Sequence, residues 1–166
     1  MRVVLSLLVT SFVAFGGCGP SSGQIRTAKL AEYQAPSSQI LDIAVQVAQR
    51  TYQVNDIDPQ KSTFTTAGQW YSGEGMRRST TNEGNGDYVN AGGGDINLRL
   101  EVQVLGATLG RVVVVVTPHT MQLLAGSPQP RELKPDDPNL PPWVSGRVDS
   151  LALDIYNASK QFAQSP

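Results

Sequence analysis

Residues 95–105 read DINLRLEVQVL, and residues 111–117 read RVVVVVT. In the first stretch Ile96, Leu98, Leu100, Val102 and Val104 alternate with Asn97, Arg99, Glu101 and Gln103. Successive side chains of a strand point to opposite faces, so this alternation predicts a strand with one apolar and one wet face. The five consecutive valines of the second stretch show no alternation. Their β-branched side chains disfavour helix, and the run predicts a strand that is central or covered on both sides. GATLG (106–110) is the loop between them. The register is open: either Val112, Val114 and Val116 or Val113 and Val115 share the wet side with Arg99 and Glu101.

Other strands are placed around this pair. TYQVNDI (51–57) alternates weakly and ends at the turn signal Asp56-Ile57-Asp58-Pro59. STFTTAGQWY (62–71) is rich in Thr and aromatics and predicts a strand with Phe64, Thr66, Gly68 and Trp70 on the core face, joined to the former by a short hairpin. HTMQLLAG (119–126) continues the valine strand beyond a bend at Pro118, since proline interrupts a central ladder. Helical spacing appears on either side of this strand-rich middle. Ile40, Leu41, Ala44, Val47 and Ala48 recur at three- and four-residue intervals behind Ser37 or Ser38 as cap. Val144, Val148, Leu151, Ile155 and Phe162 do so after prolines suited to a first helical turn.

Helix, three to five strands, helix predicts an α+β fold. The expected form is a two-layer sandwich: an antiparallel meander of about four strands, with an N-terminal and a C-terminal helix on one face. Residues 37–166 form the single domain on this reading. Two segments interrupt it: a Gly-rich loop at 72–94 with seven glycines, and a Pro-rich surface crossing at 127–142. A loop as long as the first, without structure of its own, is functional or disordered. The second either leaves the outer valines free or folds across them.

Near the start, VVLSLLVTSFVAF (3–15) follows Met1 and Arg2 without a charge and ends at Gly16-Gly17-Cys18. As a helix it reaches roughly 20 Å, short of a bilayer core of about 30 Å. A positive start, a short apolar run and small residues at the cut site describe a secretory signal over residues 1–17. Phe15-Gly16-Gly17-Cys18 resembles a lipobox, with Phe15 where Leu is usual. The resemblance implies a bacterial lipoprotein whose Cys18 becomes the acylated N-terminus. Cys18 is the sole cysteine of 166 residues, so no internal disulfide competes for it. By resemblance to the enterobacterial sorting rule, Gly19 rather than Asp implies the outer membrane. GPSSGQIRTAKLAEYQAP (19–36) is expected to be a flexible tether, so the segment running from lipidated Cys18 to residue 36 links membrane and domain.

Without residues 1–17 the chain has 12 Lys/Arg and 14 Asp/Glu, a net charge of −2. No basic excess exists to neutralise phosphates, so nucleic acid is not an expected partner. Candidates for chemistry are few. His119 is the single histidine, no G-x-S-x-G elbow accompanies it, and no zinc-ligand spacing occurs. It is read as a strand-end or surface residue. Asn82, Glu83, Asn85 and Asp87 offer oxygen ligands without the spacing of a calcium-binding EF-hand loop. Asp136-Asp137 is read as a solvated turn, and Trp70 as a core residue rather than a stacking platform with Tyr71 and Trp143. No cofactor, metal or catalytic residue is expected.

The elements YQVNDID (52–58), TTAGQWYSGEG (65–75), NLRLEVQV (97–104) and the helix from Trp143 are similar in layout to BamC-type accessory lipoproteins of outer-membrane assembly. That resemblance implies a non-catalytic scaffold, anchored by lipid and contacting another envelope protein. The expected partner surface is the wet side of the sheet, with Arg99, Glu101, Val113, Val115 and Tyr71. The alternative is a small-ligand or ion-binding lipoprotein that uses the 72–94 loop.

Overall fold

The computed structural model describes residues 20–78, 94–127 and 129–164. Among these residues it is an α+β fold with three α-helices and a seven-stranded antiparallel sheet. The elements are α1 (Ser22–Leu30), β1 (Glu32–Tyr33), α2 (Ser37–Ala48), β2 (Val54–Asp58), β3 (Thr63–Thr66), β4 (Gln69–Tyr71), β5 (Ile96–Gly106), β6 (Val112–Gln122), β7 (Arg131–Leu133) and α3 (Pro142–Ser159). The sheet order is β1-β6-β5-β3-β2, with β4 also on β5 and β7 also on β6. The sheet is larger than the expected four strands because short strands line both edges of the long β5–β6 hairpin.

Residues 96–104 alternate as expected: Ile96, Leu98, Leu100, Val102 and Val104 are buried, and Arg99 is exposed. Val104 pairs with Val114 and Val102 with Val116, so the even valines join the buried face. Directly paired residues share a face, which leaves Val113 and Val115 opposite Leu105 and Gln103 on the other side. Pro118 does not end the strand. Leu100, its partner, donates its N–H to Thr66 Oγ1 on the β3 side, so Leu100–Pro118 is a non-hydrogen-bonded pair. The position that lacks a donor therefore points away from β5, toward the stretch between β1 and β7 where no strand pairs.

The expected strand at 62–71 breaks at Ala67-Gly68. Thr65 pairs with Glu101 and Gln69 with Leu98, so four residues on one side match three on β5. The extra residue flips the parity, as in a β-bulge. Tyr71 rather than Trp70 consequently turns into the core, opposite Ile96. A Cβ on Gly68 would lie 2.6 Å from Asn97 Oδ1, which explains glycine at the break.

Helix α2 buries Ile40, Leu41, Ala44, Val47 and Ala48, the set read from spacing. Its cap is Pro36 rather than a serine, with the Pro36 carbonyl accepting from Gln39 and Ile40 N–H. Helix α3 buries Val144, Val148, Leu151, Ala152, Ile155 and Ser159, of which Val144, Val148, Leu151 and Ile155 share one core with Leu98, Leu100 and Val102.

Two expectations about connecting segments are corrected. Residues 19–36 are not a tether throughout: α1 occupies half of them. Its N-terminus is a capping box in which Ser21 Oγ accepts from Gln24 N–H and Gln24 Oε1 accepts from Ser21 N–H. Lys29 pairs with Asp149 of α3, and Tyr33 of β1 is buried, so residues 21–36 belong to the folded unit as well. The Pro-rich crossing also contains a strand. In β7, Leu133 is buried and its carbonyl accepts from Thr120 Oγ1 at 2.9 Å.

Burial, with the neighbouring Tyr156 as a lesser cause, pushes the Tyr33 phenol up to about 12. An unfolded tyrosine ionises near pH 10. Between those values the native state holds the proton that the unfolded state loses, so stability falls as pH rises. The contribution, about 2–3 kcal/mol, is complete below pH ~10 and lost through pH ~12. Urea unfolding at pH ~9 and ~11.5 is expected to show this loss, and Tyr33→Phe should remove most of it.

Candidate functional site

The β5–β6 hairpin sets out the accessible side of the sheet in pairs: Leu105–Val113, Gln103–Val115, Glu101–Thr117, Arg99–His119 and Asn97–Met121. Its two ends differ in chemistry. Toward the hairpin turn, Leu105 is 42% exposed and Val115 39%, and Leu109, in the single helical turn Thr108–Gly110, is 86% exposed. Toward the middle the groups are polar or ionisable. His119 Nε2 lies 2.8 Å from Glu101 Oε2, and Gln103 Nε2 donates to Glu101 Oε1 at 2.6 Å. The bond to His119, and then that from Gln103, hold the Glu101 carboxyl below the usual carboxylate range.

Four of the five residues expected on this surface therefore lie together: Arg99, Glu101, Val113 and Val115. Tyr71 does not, because the bulge at Ala67-Gly68 turns it to the opposite face. His119 is not at a strand end, since β6 continues to Gln122. Leu105 and Leu109 join the apolar end without having been singled out from sequence. Leu105 was legible as the next odd position after Gln103; Leu109 depends on its turn, where φ is 61°. The Pro-rich segment does not bury the valines, because β7 pairs with Thr120–Gln122 at the far end of β6.

On the buried face Tyr71 is part of a clamp. Its ring centroid is 5.1 Å from that of Trp143, and the Arg147 guanidinium lies 4.2 Å above the Tyr71 ring. Trp143 Nε1 donates to the Gly73 carbonyl at 2.9 Å, and Arg147 Nη2 donates to the Gly75 carbonyl at 3.1 Å. Gly75 has φ +87°, and a Cβ there would lie 2.8 Å from the indole. The start of the Gly-rich segment is thus fastened to α3, and Arg78 closes it with two bonds to Asp95 at 2.9 and 3.0 Å. Tyr71 and Trp143 are engaged with each other rather than offered for stacking.

The calcium-type candidates Asn82, Glu83, Asn85 and Asp87 lie outside the described residues, as does Cys18. Among the described residues no group of three or more His, Cys, Asp or Glu could hold a metal ion, and no helix is long and apolar enough to cross a membrane. Asp137 accepts from Asn139 N–H and from Arg131, as a turn carboxylate does. No known family model matches the chain, and no curated protein matches it in sequence.

Proposed function

We propose that this chain is a lipid-anchored protein of the bacterial cell envelope, held at the outer membrane by acylated Cys18 and facing the periplasm. Its role is binding or scaffolding in envelope assembly or maintenance, without catalysis. The fold serves it as a two-layer sandwich, with the helices on one side of the sheet and the partner surface on the other.

One observation carries the reading of the surface. Leu105, Leu109 and Val115 remain exposed beside Val113 at one end of a strand pair whose middle carries Arg99, Glu101 and His119. Apolar groups flanked by polar and ionisable side chains have the make-up of an interface core and rim. The partner expected there is another envelope protein. A photo-crosslinking residue at Val115 is expected to capture one discrete envelope protein in intact cells, and the same residue at exposed Lys134 is expected to capture none. Val113→Lys and Val115→Lys should leave folding intact and abolish copurification of that protein. Equal capture from both positions, or unfolding of both lysine variants, would contradict the assignment.

A further inference from the structure

A second feature lies at the β1 edge of the sheet, next to Val112 and Val113, where α1, β1 and the end of α3 line a cavity of about 610 Å³. Its charged lining is Arg26, Arg111, Lys160 and Glu32, three cations against one carboxylate. Arg111 Nη1 meets Glu32 Oε2 at 2.8 Å, so the carboxylate is already matched, while Arg26 and Lys160 are exposed. Leu30, 67% exposed, and Tyr156 add an apolar portion to the wall. A concave site of this size with convergent cations and an apolar side fits a small anionic amphiphile.

We propose that this cavity binds the headgroup of an anionic phospholipid: Arg26 and Lys160 take the phosphate, and the glycerol and first acyl carbons lie along Leu30 and Tyr156. The choice of a lipid over other anions rests on the Cys18 anchor. Helix α1, which supplies Arg26 and Leu30, starts four residues after Cys18, a span of at most about 14 Å. An acyl chain on Cys18 would therefore hold this wall of the cavity close to the headgroups, where cationic side chains gain from anionic lipid.

The test is thermal unfolding of the full chain in nonionic detergent, titrated with short-chain phosphatidylglycerol, short-chain phosphatidylcholine or inorganic phosphate. Phosphatidylglycerol is expected to raise the melting temperature by several degrees, and the other two by less than about one degree. Arg26→Gln combined with Lys160→Gln should leave the unliganded melting temperature unchanged and abolish the rise. Were the double variant not to fold, Arg26→Gln alone, on the exposed side of α1, is expected to at least halve the rise. No rise with phosphatidylglycerol, an undiminished rise in the variants, or full reproduction of it by phosphate or phosphatidylcholine would overturn the proposal. An unacylated Cys18 with the phosphatidylglycerol rise intact would overturn the anchor and leave the cavity's ligand standing.

Discussion

Replacing Cys18 by alanine is expected to remove the protein from the membrane fraction, or to leave it there only as a precursor that still carries residues 1–17. The two results are told apart by mass. Burying acyl chains contributes about 0.8 kcal/mol per CH₂, and one chain alone gives only marginal membrane binding. The anchor expected here carries several chains on one cysteine, so its loss should be close to all-or-none. Among the described residues no helix replaces it as a membrane span. The folding of residues 22–30 as α1 sharpens this prediction. A long flexible tether would let the domain range widely from the bilayer, whereas the four residues from an acylated Cys18 to the start of α1 would hold it beside the surface. Wild-type fractionation of Cys18→Ala at the mature mass would contradict the anchor.

Leu100→Ala is expected to destabilise the protein by about 2–5 kcal/mol, measured by urea or guanidinium unfolding. Leu100 is fully buried at the centre of β5, paired with Pro118 and within the same core as Phe64, Ile40 and Ile155. Removing its side chain loses transfer energy and leaves a cavity that α2, α3 and the sheet are too closely packed to fill. Val115→Lys, three pairs along the hairpin and on the opposite face, should stay within about 0.5 kcal/mol of the parent. Similar costs for both would mean that the two faces of the hairpin are not distinguished as the register requires.

The alternation of residues 96–104 made that register legible on β5, because polar and apolar groups follow a period of two. Five valines erased it on β6. There the pairing of Val104 with Val114, a tertiary fact, decides which valines face out. The bulge at Ala67-Gly68 was hidden for a related reason. Alternation through Phe64, Thr66, Gly68 and Trp70 looks unbroken, and one inserted residue then exchanges Trp70 for Tyr71. Helix α1 left a faint local signal. Ser21 followed by Gln24 is a capping-box pattern, but small polar neighbours and a low apolar content gave the segment the composition of a linker. Helices α2 and α3 were legible in their buried faces because burial there repeats at helical spacing. Strand β7 was not, since three residues among prolines carry no period. Of the surface residues, Arg99 and Glu101 followed from alternation, while the cavity of Arg26, Arg111 and Lys160 joins residues more than 130 positions apart and has no local sequence signal.

The lipid anchor is tested most directly by the mass of the mature N-terminal peptide, taken from the protein extracted from its native membrane. The expected peptide begins at Cys18, and its mass exceeds that of its amino acids by a diacylglyceryl group, with or without a further N-linked acyl chain. A mature chain that begins at another residue, or one in which Cys18 carries an unmodified thiol, would contradict it.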